Sequence, residues 1–264
     1  MTSREKRVVI SSDDKDSGSI SNSNFKVTLR ERYSTQSVDR ISIAEIIVPN
    51  CFYNISDGDV KKGNGPANNV LIFGSVPTGN LTVTLTAGQY NILQLIAFLQ
   101  SNMDTALAPY GINVVINRSD ITNLLSFAFS AESWTFYANS SMASVLGFID
   151  NVGPYNSSST VLLPYPPDLS GINSVYIHSE ALSDGSGIDA NKGIINLVDA
   201  VSLHNVPYGT FAYKQTTDDA FALINYTMPR NLNVIDIRLR DREGNLLDIG
   251  TKRLTLIIKM YYSV

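Results

Sequence analysis

Apolar and polar side chains alternate with a period of two through most of this chain, and that pattern confines it to β structure. Near the C-terminal end Ile235, Ile237 and Leu239 alternate with Asp236, Arg238 and Arg240. After a turn at Asp241-Arg-Glu-Gly-Asn245, Leu254, Leu256, Ile258 and Met260 alternate with Thr255, Ile257 and Lys259. Successive side chains of a strand point to opposite faces, so this describes sheet with one dry and one wet face. Phe25, Val27 and Leu29 open the series in the same way. Ile41 and Ile43 continue it, but the apolar positions change parity through Ala44, Ile46 and Val48, which predicts a bulge or a strand covered on both faces. Val70 to Phe73, Val161 to Leu163, Val175 to His178 and Ile194 to Val206 add strands between polar turns. Many short strands separated by turn chemistry predict an all-β antiparallel sandwich or jelly roll.

One stretch breaks the period. Ile92, Leu95, Ile96, Leu99 and Met103 fall on one face of a helix, with Asn91 placed as its N-cap and Gln94 at the third helical position. Strand-like alternation surrounds it at Leu81/Val83/Leu85, Ile112/Val114/Ile116, Leu125/Phe127/Phe129 and Trp134/Phe136. Ser141 to Phe148 reads as a single helical turn closed by Gly147. The expected organisation is a flexible arm over 1–23, a first part of the roll over 24–78, an inserted α+β module over 79–151, and a second part of the roll over 152–264.

The arm rests on composition. Residues Ser11 to Asn24 are dominated by Ser, Asp, Asn and Gly, with Ile20 the one large apolar side chain. Such a segment buries too little to offset its ordering entropy. Before it stand Arg4, Lys6 and Arg7 and the apolar Val8, Val9 and Ile10, a combination expected to order on a partner.

The formal charge of −4 argues against coating nucleic acid, and no specific nucleic-acid binding is expected. Cys51 is the single cysteine, so no disulfide forms within the chain. No run reaches the roughly 18 apolar residues of a membrane span, and Met1 to Arg7 lacks a signal-peptide core. Sequons at Asn54, Asn80, Asn117, Asn139, Asn156 and Asn225 are what a chain rich in Asn, Ser and Thr produces by composition.

Catalytic chemistry has few footholds. Cys51 with His178 or His204 could supply two parts of a nucleophilic triad, but its apolar context predicts an inert buried thiol. The acidic groups Asp13-Asp14-Lys-Asp16, Asp57-Gly-Asp59 and Asp218-Asp219 lie in expected loops without an EF-hand pattern. Ser183-Asp-Gly-Ser-Gly187 lacks a Walker lysine. Tyr33, Tyr53, Tyr165, Tyr208, Tyr213, Tyr226, Tyr261 and Tyr262 suit sheet surfaces and subunit contacts better than a sugar platform. No catalytic residue, metal site or cofactor is expected.

Several stretches, taken in order, resemble the penton and single jelly-roll minor capsid proteins of virophages, polinton-like viruses and nucleocytoplasmic large DNA viruses. They are Ser23-Asn24-Phe25-Lys-Val27-Thr-Leu29, Ile47-Val-Pro49-Asn50 with Tyr53-Asn54-Ile55, and Gly88-Gln-Tyr90-Asn91. Leu146-Gly147-Phe148, Val175-Tyr-Ile177-His-Ser179 and Ile237-Arg-Leu239-Arg-Asp241-Arg-Glu-Gly244-Asn-Leu246-Leu-Asp248 follow. The resemblance touches most of the chain, each motif is weak alone, and their order carries it. It implies a single jelly roll in the virion capsid, assembled as a homopentamer at fivefold vertices. Its neighbours would be a double jelly-roll major capsid protein and other minor capsid proteins. The alternatives are another minor capsid component or a carbohydrate-binding attachment protein meeting a fibre or host glycan. A jelly-roll glycan enzyme is the third reading, since paired carboxylates meet only in the fold.

Overall fold

The computed structural model describes residues 4–29, 37–58, 67–131, 133–153, 159–185, 187–189, 193–216 and 223–262. The chain opens with strands β1 (Arg4–Ser11), β2 (Asn24–Thr28) and β3 (Val38–Pro49). It continues through β4 (Val70–Ser75), β5 (Gly79–Thr84), helix α1 (Ile92–Leu107), β6 (Val114–Arg118), β7 (Leu125–Phe129), β8 (Thr135–Phe136), α2 (Ala143–Leu146) and β9 (Thr160–Leu162). Next come β10 (Ser174–His178), β11 (Gly187–Asp189), β12 (Gly193–Ile195), β13 (Leu197–Ser202) and β14 (Phe211–Gln215). β15 (Leu223–Arg230), β16 (Val234–Arg240) and β17 (Thr255–Tyr262) close the series. The described residues divide into two compact units, one drawn from Met1–Phe52 and Ile172–Val264, the other from Tyr53–Asp59 and Pro66–Gly171.

The larger unit has two main antiparallel sheets beside the small β11–β12 pair. In the first, β1, β17, β3 and β14 lie side by side in that order, and β15 also pairs with β3. In the second the order is β13, β10, β16, β2. Chain neighbours cross repeatedly from one sheet to the other, giving a single jelly roll. The alternating apolar residues supply its core: Ile10, Phe25, Ile41, Ile46, Val48, Val175, Ile177, Ile237, Leu239, Leu256, Ile258 and Met260 form one cluster. The parity change along β3 is a bulge: Ile257 pairs with Glu45 and Ile258 with Ile43, which leaves Ala44 as the extra residue.

The structure corrects the flexible arm. Residues 4–11 are the edge strand β1, paired antiparallel along its whole length with β17 from Arg4↔Tyr262 to Ser11↔Thr255. Val8 and Ile10 enter the core, worth about 1.5–3 kcal/mol each, and the ladder orders the backbone between them. The polar stretch that follows is held by its own side chains. The Asp16 carboxylate accepts from the Thr28 N–H at 3.2 Å and from its hydroxyl at 2.8 Å, and the Ser19 hydroxyl accepts from the Lys26 N–H at 3.0 Å. Composition undervalued the segment because local Asx and Ser bonds offset ordering entropy without burying apolar surface.

In the smaller unit β5, β4 and β8 form one sheet and β6, β7 and β9 another. Helix α1 begins at a reciprocal capping box: the Asn91 side chain accepts from the Gln94 N–H at 2.9 Å, and Gln94 Oε1 accepts from the Asn91 N–H at 3.0 Å. Its stripe of Leu95, Leu99, Met103 and Leu107 is buried with Phe73, Phe127, Trp134 and Phe136. Trp134 stacks on Phe129 at 4.6 Å between ring centroids. Gln100 ties the helix to β6, accepting from the Ile116 N–H at 2.9 Å and donating to the Val114 carbonyl. The α2 turn ends at Gly147, whose φ of +89° is the left-handed conformation expected of that residue.

This unit exceeds the 79–151 module. β4, expected in the roll, is the hairpin partner of β5, and β9 pairs with β7. Buried Asn54 stitches its segments: Nδ2 donates to the Tyr90 and Leu169 carbonyls at 2.7 and 3.1 Å, and Oδ1 accepts from the Tyr90 N–H at 2.9 Å. A strand's sequence reports which face is dry but not which strand lies beside it.

Two outcomes test this architecture. Ile10→Ala is expected to cost about 2–5 kcal/mol by urea denaturation, while Val9→Ala, on the outer face, shifts stability by less than about 0.5 kcal/mol. Trp134 is the single tryptophan and is fully buried in the smaller unit, so its fluorescence follows that unit's melting. In that signal Gly147→Ala should remove about 2–4 kcal/mol, because the new Cβ demands a left-handed alanine and collides with the Tyr165 and Pro166 carbonyl oxygens.

Candidate assembly surface

The residues expected to bind partners are split by the pleat of β1. Val8 and Ile10 face the core and are unavailable, and Lys6 leans over the Tyr262 ring at 4.9 Å. Arg7 pairs with Glu5 at 3.5 Å on the exposed side, and Val9 is 60% exposed. Val9 opens an apolar stripe on the outer face of the five-stranded sheet. It faces Ile257, Thr255 faces Ile47, Ile47 faces Tyr213, and Pro49 faces Phe211. Phe211 and Tyr213 are 54% and 56% exposed. β14, which carries them, is anchored by Lys214, whose ammonium pairs with Asp199 and donates to the Ala200 carbonyl at 3.0 Å. Solitary exposed apolar residues need no explanation, but apolar side chains on four neighbouring strands, with Thr255 and Glu45 between them, mark a surface suited to a partner.

Among the described residues the candidate chemical residues form no group of three that could share a metal. Cys51 is half-buried, and the charges that act on it are Lys252 and Asp248. Burial pushes its thiol up to about 11, so it is protonated at neutral pH. His178 lies in β10 opposite Leu197 and Arg238, and His204 is exposed in the turn after β13. Asp13 pairs with Arg253 at 3.3 Å, Asp16 holds Thr28, and the Asp218-Asp219 pair lies outside the described residues. Among the described residues no three His, Cys, Asp or Glu side chains group so as to hold a metal ion.

The tyrosines form no single platform. Tyr226, Tyr261 and Tyr262 are buried in the larger unit, Tyr165 is exposed in the smaller one, and Tyr33 lies outside the described residues. Burial holds the Tyr226 hydroxyl well above the ordinary phenol range. It donates to the Leu182 carbonyl at 3.1 Å while Arg230 covers its ring at 4.7 Å. The Asn54 sequon is closed to glycosylation because its amide is buried and bonded.

Two features escaped sequence reasoning. Buried Asp236, on the nominally wet side of β16, accepts from the Ser179 hydroxyl at 3.2 Å and the Ala181 N–H at 3.0 Å, fixing the turn after β10. Arg238 beside it pairs with Glu180 at 2.9 Å. The second feature is a charge asymmetry. The segments Tyr53–Asp59 and Pro66–Gly171 carry seven acidic residues and one basic residue, Arg118, whereas the rest of the chain carries 17 and 19.

No protein-family model matches the sequence, and no curated protein matches it. The solved structures do. The fold of this chain, a single jelly roll with a second α+β unit, is similar to that of a solved viral penton protein. The crystal structure of the selenomethionine-labelled mavirus penton protein aligns with a TM-score of 0.52 over 99% of this chain and 100% of that one, at 8% identity. A chain of the cryo-EM structure of the Sputnik virophage aligns over 98% of each chain, with a TM-score of 0.48 and 12% identity. The likeness to the mavirus protein spans the chain from end to end and is one of fold.

The Cys51 environment has a measurable consequence. Relative to a thiol at the ordinary 9.0, a value near 11 leaves roughly a hundredfold less thiolate at pH 7. Iodoacetamide should therefore modify the native protein far more slowly than the urea-unfolded chain, with a rate that rises up to about pH 11. Fast labelling at neutral pH would contradict the burial.

Proposed function

We propose that this protein is a structural component of the capsid of an icosahedral DNA virus, a penton that closes into homopentamers at the fivefold vertices. The observation that carries this reading is the end-to-end correspondence of fold with the mavirus penton protein, both units included. The outer stripe of Val9, Ile257, Ile47, Tyr213 and Phe211 supports it, because a capsid subunit needs apolar surface that only assembly covers. The chemical role is assembly and not catalysis: the inert thiol of Cys51 and the pairing of Asp13, Asp199 and Arg238 within the fold agree with that. Its partners are then other copies of itself, a double jelly-roll major capsid protein and further minor capsid proteins, and its place is the virion.

The partner role foreseen for the N-terminal residues changes form here. Arg4, Arg7 and Val9 act from a fixed strand edge and outer face and not from a tether, since an edge strand presents backbone groups ready to pair with a neighbouring chain.

A virion reconstruction with symmetry relaxed at the vertices tests the reading. Five copies of this chain around each fivefold axis are expected, and its density on twofold or threefold positions would end the penton assignment. The double variant Phe211→Lys/Tyr213→Lys should melt like the wild type yet enter particles with at least about tenfold lower occupancy, since a lysine in a desolvated contact costs several kcal/mol.

A further inference from the structure

Each unit has its own core and its own sheets. Phe73, Phe127, Trp134, Phe136 and the buried stripe of α1 form one apolar cluster, and Ile10, Phe25, Ile258 and Met260 belong to another, with no residue common to both. Among the described residues, β4 to β9 pair only with one another. The division is sharp along the chain. Phe52 packs in the core of the roll and Ile55 in that of the smaller unit, and Leu169 and Ile172 divide in the same way.

Amide chemistry closes the smaller unit where the chain enters and leaves it. Both N–H groups and the oxygen of the buried Asn54 amide are used, on Leu169 at the exit and on Tyr90 at the start of α1. The Asn54 backbone is held as well: its N–H donates to Gln89 Oε1 at 3.2 Å, and its carbonyl accepts from Asn68 Nδ2 at 2.9 Å. Ile55 and Gly88 exchange both backbone bonds, at 3.1 and 2.9 Å. At the exit Gly171, with φ of +59°, lies so close to the entry that a Cβ would stand 3.1 Å from the Asn54 Cα.

We infer that the smaller unit is a separately cooperative domain, which opens and refolds while the roll stays closed, and that Asn54 is the residue that latches it. A segment with its own core, its own ladders and fastened ends is one that opens as a whole. The roll tolerates that opening, because loop-closure entropy grows only slowly with loop length. The β17 ladders and the core around Ile258 lie wholly within the larger unit, so they persist when the insertion is open. Such a latch lets the surface of the smaller unit be lost or remade without disturbing the sheets of the roll. The inference goes beyond the capsid reading and stands independently of it.

Hydrogen exchange of the full-length wild type in sub-denaturing urea tests this without any substitution. Amides of α1, β4 and β7 are expected to exchange as one group with a common urea dependence, distinct from that shared by β3 and β17. Asn54→Asp keeps the shape of the side chain but sets a carboxylate against the Tyr90 and Leu169 carbonyls. Exchange of the α1 group should then be about tenfold or more faster, with β3 and β17 unchanged. Ile10→Ala should do the reverse. A single urea dependence covering α1, β4, β7, β3 and β17 in the wild type overturns the proposal, and so does either variant speeding exchange in both groups. An Asn54→Asp protein whose α1 group exchanges at the wild-type rate overturns the assignment of the latch.

Discussion

The larger unit depends on the insertion of β17 between β1 and β3. This last strand pairs along its length with the first strand on one side and with the longest on the other, while Leu256, Ile258 and Met260 point into the core without exposure. Without it β1 has no ladder and β3 loses one edge. Residues some 250 positions apart must find each other before the roll closes, and closing so long a loop is entropically costly. Once made, the closure turns a polar N-terminal stretch into fixed structure. Val8 and Ile10 are anchored by the ladder, and Asp16 and Ser19 can then hold β2 in place. Folding through such non-local pairings is expected to be slow.

The smaller unit is organised differently. Its contacts are mostly local: a capped helix, two hairpins and an aromatic cluster around Trp134, Phe129 and Phe136. Asn54 and Leu169 lie near its two ends in sequence, and the buried amide bonds between them and Tyr90 fasten those ends together. That is the arrangement a continuous insertion needs if it is to be stable as a unit. The two units also divide the chemistry of the surface. The roll carries nearly all of the basic residues and pairs Arg7, Lys214, Arg238 and Arg253 with acidic neighbours, whereas the inserted unit is Asn- and Ser-rich and net acidic.

For a capsid subunit of the kind proposed, these would be complementary means of association. Charged groups on a sheet can set register and exclude wrong neighbours, and a neutral helix face can be buried at little electrostatic cost. The exposed residues from Val9 to Phe211 and the exposed face of α1 belong to different units.

Sequence alone determined whatever depends on local geometry. Period-two alternation identified β2, β3, β16 and β17 and the dry face of each, because side-chain direction follows from backbone pleat. The parity change at Ala44 identified its bulge, and the Asn91/Gln94 pair and Gly147 identified helix boundaries, because caps are satisfied within a few residues. Only the tertiary structure decided what depends on distant partners. It placed β4 and β9 in the inserted unit, made residues 4–11 an edge strand, buried Asp236 beneath a turn and left one face of α1 unpaired. Hydrogen-bond partners across a sheet are chosen by the whole fold, and no residue type in β1 or β4 names the strand it will join.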